Sequence, residues 1–278
     1  MAVLYRAFFA IRGLSTADGQ PTNALFGFIR MVRQLQSVWQ PTHMGVAFDG
    51  GACRDRTAIL AEYKANRPPM PDALRSQLAP VCDYLDLAGI PWCREDGQEA
   101  DDIIASLAFK ATGSVEKVLI GTSDKDMFQL VDERVFIVPV SGTRECMDAA
   151  AVRAKTGVAP AQIVAWLALV GDSADNIPGV PGVGPKTAAK LLGDFGTLAE
   201  LRAHIDLVAN AKVRDALREN WARVELNVGL VRLRTDLDGP PDWDVWRVKS
   251  PDPGCLIPFY ERMELRGLAA ELRQKDLF

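Results

Sequence analysis

The chain has 278 residues, 48% of them hydrophobic, and a formal net charge of −4, so it can build one large core or two modest ones and is too apolar to be disordered. Charges interrupt every apolar run short of the ~20 residues that a membrane-spanning helix needs. Five cysteines, widely spaced and without a C-x-x-C pair, signal neither a disulfide framework nor a zinc knuckle, and a reducing cytoplasm suits them. His43 and His204 lie outside polar clusters, which argues against imidazole-built zinc sites and Ser-His chemistry; any metal must be held by oxygen. The acidic balance argues against a nucleic-acid partner, but acids gathered around metal ions would leave the remaining surface more basic than the sum.

The start, MAVLYRAFFAIRG, is apolar and free of acids before Asp18. Arg6 and Arg12 break the block and no small-residue cleavage site follows, so a mature domain is expected rather than a targeting segment. Apolar residues at 25, 28, 29, 32, 35 and 38 predict a helix over 23–38, and HMGVAF (43–48) reads as a buried strand. The segment 54–71 (RDRTAILAEYKANRPPMP) sets Arg54, Arg56, Lys64 and Arg67 around Tyr63. It offers charge for phosphates and an aromatic face for an unpaired base. Helices follow over 72–88 and 100–111, and strands over 117–121 (KVLIG) and 135–140 (VFIVPV). Alternating strands and helices predict an α/β layer with a parallel or mostly parallel sheet. Beyond about 156 the strand signal fades. Helices are expected over 160–170, 186–192, 197–204, 211–227 and 255–273, with a Pro-rich loop at 239–253 and the last helix packed back on the body. The division is therefore 1–156, α/β, and 157–278, helical.

Strand 43–48 runs into Asp49, and strand 117–121 runs into Thr122, Ser123, Asp124, Lys125 and Asp126. Ligands collect outside the carboxyl ends of parallel strands, so these acids should share one crevice. Glu99, Asp101 and Asp102 open a helix, with Glu99 and Asp102 on one face, and Asp172 and Asp175 precede a Pro/Gly-rich turn. Any one group could be a helix cap or a solvated turn. Four groups together, two at strand ends, imply a divalent cation, Mg²⁺ or Mn²⁺, because packed carboxylates repel unless neutralised. The usual chemistry of paired ions in such sites is in-line displacement at phosphorus.

The run 176–192 (NIPGVPGVGPKTAAKLL) reads as a helix-hairpin-helix. Gly182 and Gly184 allow a tight turn and close backbone approach, Pro185 suits a first helical turn, and the free amides there can hold a phosphate. Lys186, Thr187 and Lys190 complete the pattern. Such a hairpin grips backbone and carries little sequence preference.

These motifs, FDGG around Asp49, YKANRPPMP from Tyr63, EADD from Glu99, TSDKDMFQLV from Thr122 and GDSADNIPGVPGVGPKTAAKLL from Gly171, resemble, in this order, the 5′ nuclease domain of bacterial DNA polymerase I and the flap-endonuclease family. The resemblance implies a PIN-like α/β body, a helical arch over the site at about 54–71, and a helix-hairpin-helix that often holds K⁺. It implies Asp49, Glu99 and Asp101 at a first metal, Asp124, Asp126 and Asp175 at a second, and Asp102 and Asp172 as supporting outer ligands. Lys64 and Arg67 match arch residues that steer the scissile phosphate, Tyr63 would stack, and Arg6 would contact a phosphate. The implied activity is 5′-3′ exonuclease and 5′-flap cleavage of DNA by a monomer, in primer removal and repair, fused to or beside a DNA polymerase. Family members begin with a strand ending in Val-Asp-Gly, whose Asp is a metal ligand, ahead of a helical Tyr-Arg pair. Tyr5-Arg6 matches that pair, which puts the expected Asp just before Met1, through a late start assignment or a true truncation. Two alternatives are a branched-DNA binding protein with impaired catalysis and a PIN-type ribonuclease, the latter without the hairpin.

Overall fold

The computed structural model describes residues 1–140, 143–239 and 242–275. Pro240 and Pro241 of the expected Pro-rich loop, and the last three residues of the expected helical region, lie outside the described residues.

The first half comprises α1 (Ala2–Ala10), α2 (Asn23–Trp39), β1 (Val46–Phe48), α3 (Arg54–Ile59), α4 (Asp72–Arg75), α5 (Leu78–Leu87), β2 (Trp92–Arg94), α6 (Ala100–Ala111), β3 (Val118–Gly121) and β4 (Val135–Val138). Helices dominate the rest: α7 (Ala149–Thr156), α8 (Ile163–Val170), the short strands β5 (Gly171–Asp172) and β6 (Ile177–Pro178), α9 (Pro185–Phe195), α10 (Leu198–Ala203), α11 (Ala211–Glu219), α12 (Trp221–Val231), α13 (Pro253–Arg262) and α14 (Arg266–Lys275). The long pairings are parallel, but in two separate pairs rather than one sheet. β1 pairs with β2, Val46 opposite Trp92, and β3 pairs with β4, Val118 opposite Val135. β5 and β6 form a small antiparallel hairpin.

Several boundaries differ from the sequence expectation for local reasons. Only 46–48 of the first strand pairs with β2, because Met44 instead donates its amide to Trp246 O (2.8 Å) and His43 bridges to Arg247. β2 itself escaped periodicity, since its Trp-Cys-Arg is only three residues long. The helix expected over 211–227 breaks at Asn220, whose side-chain amide donates to Ala216 O (2.8 Å); Asn competes with the backbone in this way and weakens helix interiors. The terminal helix is two helices, turned at Glu264 in the left-handed region, φ 53°.

Apolar residues divide between two cores. One joins α1, α2, α4 and α5 to α13 and α14, with the Tyr84 and Tyr260 rings stacked 6.4 Å apart. The other joins α6, β3 and β4 to α7, α8, α9 and α12. Each fully buried side chain such as Leu25 or Leu167 contributes about 1.5–3 kcal/mol. β1 contributes Phe48 to the first core and β3 contributes Ile120 to the second, and the polar side chains described next follow these strands.

Candidate active site

Asp49 leaves the end of β1 and its Oδ1 accepts the Ala100 amide (2.9 Å), capping the first turn of α6. This brings Asp49 next to Glu99 and Asp101. The approach depends on Gly50: a Cβ there would lie 1.6 Å from Glu95 O, and Gly50 exchanges backbone hydrogen bonds with Gln98 and Gly97 (2.8 and 3.0 Å). The Met1 nitrogen stands 4.0 Å from Asp49 Oδ2, at the rim of the same cluster.

Glu99 is buried and surrounded by donors: Arg56 Nη1 (2.9 Å) and Tyr63 OH (3.0 Å) on Oε2, and Lys64 Nζ (2.5 Å) on Oε1. Burial, then the charges of Asp124, Asp49 and Glu99, push the Asp101 carboxyl up to about 7, against the pull of Lys64. Asp102 is fully buried and gives both oxygens to Arg56 (2.5 and 2.8 Å) and Oδ1 also to the Arg234 amide (2.9 Å).

At the end of β3, Asp124 accepts the Asp126 amide (3.0 Å) and its own amide donates to Thr122 Oγ1 (3.0 Å). Asp126 Oδ1 is buried with no hydrogen-bond partner. Burial, then Asp124 and Asp172, push its carboxyl up to about 8, with Lys125 opposing. The β5–β6 hairpin supplies Asp172 and Asp175. It closes because residue 171 is glycine, φ 77°, where a Cβ would lie 2.3 Å from Gly179 N. Asp172 pairs with Lys125 Nζ (3.1 Å), and Asp175 accepts from Tyr63 OH (3.1 Å) and Arg67 Nη2 (2.5 Å), with Lys64 Nζ at 3.5 Å.

The acids thus fall into two neighbouring sets, with Asp124 beside both. Asp101 feels Asp49, Glu99 and Asp124; Asp126 feels Asp124, Asp172 and Asp175. Raised carboxyl pKa values and an orphaned, buried Asp126 oxygen are the marks of negative charge short of neutralisation, and an all-oxygen donor set fits a hard divalent cation. Among the described residues, however, no three Asp, Glu, His or Cys side chains close around a single point. Lys64 and Arg67 hold the carboxylates instead.

Two expectations are corrected by this geometry. Arg56 is buried in ion pairs with Glu99 and Asp102 and does not face outward toward a DNA phosphate. Tyr63 is also buried, its hydroxyl between Glu99 and Asp175, so its ring does not present a stacking face. Asp102 gives both oxygens to Arg56. The segment 54–71 is α3 followed by turns that fold down onto the acids: Lys64, φ 56°, donates its amide to Asp175 O (2.9 Å), and Asn66 donates to Ser173 O (2.8 Å).

Arg6 and Arg54 are exposed. Away from the acids, Gly184 is the N-cap of α9 without a side-chain cap, Pro185 is its first residue, and Gly182 has φ 79°. Lys186 and Lys190 are exposed and Thr187 is half-buried, while Val183, Ala188, Leu191 and Leu192 anchor the hairpin in the core. The first turn of α9 is thus exposed beside Lys186 and Lys190, with no side chain capping its amides.

The sequence matches the family model for the 5′-3′ exonuclease N-terminal resolvase-like domain over residues 1–157, and that for the 5′-3′ exonuclease C-terminal SAM fold over 158–254. The chain belongs to the 5′-3′ exonuclease family. A 5′-3′ exonuclease of Aquifex aeolicus is 39% identical over 270 residues, covering 97% of this chain and 91% of that protein. DNA polymerase I of Pseudomonas aeruginosa is 39% identical over 277 residues, covering 97% of this chain but 30% of the polymerase. Among solved structures, T5 5′-exonuclease with bound zinc ions superposes with a TM-score of 0.66 at 24% identity, over 76% of this chain and 81% of that one. The catalytic core of Rad2 in complex with DNA substrate has a TM-score of 0.62 at 17% identity, over 94% and 84%. These likenesses establish the PIN-like, resolvase-type body and helical second half as the fold of the exonuclease chain.

Sequence reasoning gave no role to Lys125, Gly171 or Gly50. A lysine between two aspartates at a strand end is a readable signal for Lys125. Nothing in the sequence shows that the two glycines are contact points, because the backbone they meet is remote or folded back on them.

Proposed function

We propose that this exonuclease chain hydrolyses phosphodiester bonds at 5′ ends and 5′ flaps of DNA with two divalent ions, Mg²⁺ or Mn²⁺, in primer removal and repair. The observation that carries this is the paired acidic array, with Asp101 and Asp126 held above the usual carboxylate range and Asp126 Oδ1 buried without a partner. Asp49, Glu99 and Asp101 would hold one ion, and Asp124, Asp126 and Asp175 the other, with Asp172 oriented by Lys125 as an outer partner. Bound there, the ions would supply an activated water and charge stabilisation at the leaving oxygen.

The chain's own cations do the rest. Lys64 and Arg67 pair with Glu99 and Asp175, and at the mouth of the acidic array these two cations would bind the scissile phosphate. Arg6 and Arg54 add phosphate contacts, and the hairpin amides with Lys186, Thr187 and Lys190 grip the duplex backbone. K⁺ at the hairpin rests on the resemblance alone. The chain acts as a monomer in the cytoplasm, beside or joined to a DNA polymerase, as in the polymerase I relatives.

A labelled 5′-flap duplex tested with Mg²⁺, beside a binding assay in Ca²⁺, checks this. Cleavage near the junction is expected; binding without cleavage would favour a branched-DNA binding protein with impaired catalysis. Asp124→Ala should reduce cleavage by at least about a thousand-fold, as expected when a metal site is dismantled, while binding persists. Full activity in that variant would refute the metal assignment.

A further inference from the structure

Arg56 stands apart from the other arginines of its segment. Its guanidinium carries five N–H groups, and each finds an oxygen. Nε donates to Leu230 O (2.7 Å), Nη1 to Glu99 Oε2 (2.9 Å) and Asp102 Oδ2 (2.5 Å), and Nη2 to Asp102 Oδ1 (2.8 Å) and Arg232 O (3.2 Å). The side chain is only 6% exposed. Two of the acceptors are carbonyls at the end of α12, where a helix leaves its last carbonyls unpaired and its dipole negative. Burial works against the cation, but Asp102 and Glu99 outweigh it and hold the guanidinium charged.

The helix that Arg56 caps also reaches the other half of the site. Asn227 of α12, fully buried, donates its side-chain amide to Ala168 O of α8 and Pro178 O of β6 (both 2.9 Å). α8 leads directly into the hairpin that carries Asp172 and Asp175, and α9 of the helix-hairpin-helix packs on α8. One guanidinium therefore ties the start of α6, with Glu99, to the helix that fixes the second set of acids.

We propose that Arg56 is a positioning residue, not a DNA contact: it sets the Glu99 carboxylate relative to α12 and so fixes the spacing between the two acidic sets. The role rests on the metal-dependent function proposed above. Lysine keeps the charge but has three donors and no planar fork, so it cannot hold Glu99, Asp102 and both carbonyls at once.

The test uses the full chain and Mn²⁺ as the probe, titrated by electron paramagnetic resonance, together with DNA binding in Ca²⁺ over a salt series. In Arg56→Lys, Mn²⁺ affinity and kcat should each fall about ten- to a hundred-fold, the range for loss of a partner that orients a ligand. KM and the slope of log K against log salt should stay at wild-type values. A slope smaller by about 0.9, as when one phosphate is no longer neutralised, with unchanged Mn²⁺ affinity would overturn the proposal, as would an unchanged variant. If Arg56→Lys fails to fold, the double variant R56M/D102L removes the buried pair together and should show the same loss of Mn²⁺ affinity; wild-type affinity there would overturn it. Wild-type protein that binds no Mn²⁺ would sink the metal-dependent function itself, whereas tight wild-type binding matched by the variants would sink only the role of Arg56.

Discussion

The acidic site and the helix-hairpin-helix are built in opposite ways. The acids come from four separate stretches of chain, and Glu99, Asp102, Asp172 and Asp175 among them are held by Arg56, Lys64, Arg67, Lys125 and Tyr63 through crossed contacts. The hairpin is one continuous run whose apolar residues face the core and whose amides and lysines face outward, with no side chain capping the start of α9. Nothing in the chain occupies the exposed first turn of α9 among the described residues. In the acidic array Glu99 and Asp175 are already paired with Lys64 and Arg67, so the two regions should respond differently to substitution, salt and pH.

The largest difference is expected at Lys64. Lys64→Met should lower cleavage about a hundred-fold, since a charge aimed at the reacting phosphate is removed. Yet it should tighten Mn²⁺ binding measured by calorimetry, because Nζ no longer competes at Glu99 and Asp175. Unchanged or weaker Mn²⁺ binding would break the idea that this lysine stands in for the metal. Smaller and opposite in kind is the effect of K186A/K190A. Binding to duplex DNA should weaken several-fold and the salt slope should fall by about 0.9 for each phosphate that is no longer neutralised, with kcat at saturating DNA unchanged; a fall in kcat would show that the hairpin also shapes the reaction.

Smallest is the effect of pH on stability without metal. Asp101 and Asp126 keep their protons up to about 7 and about 8 in the folded chain, whereas unfolded aspartates release theirs near ~3.9. Between these values the folded state binds more protons, so stability falls as pH rises from about 4 to 8. Melting in EDTA should drop by a few degrees between pH 5.5 and 8, and the rise on adding Mn²⁺ should be larger at pH 8, because ligands bind deprotonated. A flat melting temperature in EDTA would mean that the two carboxyls are not strained.

Legibility in the sequence follows the same division. The hairpin could be read almost residue by residue, since Gly182, Gly184 and Pro185 act through local backbone geometry. The acids could be picked out by their strand ends and helix start, and the parallel direction of the strands by their alternation with helices. What could not be read was long-range: that Arg56 turns inward to α12, that Tyr63 is buried, and that Asp102 is taken up by an ion pair. Charge and aromaticity are visible in a sequence, but the direction in which a side chain points depends on elements more than a hundred residues away. The split of the strands into two pairs was invisible for the same reason, because pairing partners are set by tertiary packing.

The core formed by α1, α2, α4 and α5 has its own temporal consequence. Its remaining wall is α13 and α14, fastened by Ala17 N to Glu264 Oε1 (2.8 Å) and by Arg33 to Glu271 (3.1 Å). During synthesis, this core lacks one wall until residues 256–269 have left the ribosome. The second core, whose members run from Cys53 to Leu233, can condense earlier. This core is thus sealed only by the last residues that contribute to it, and such long-range closure leaves apolar surface open to chaperones and proteases while the protein is being made.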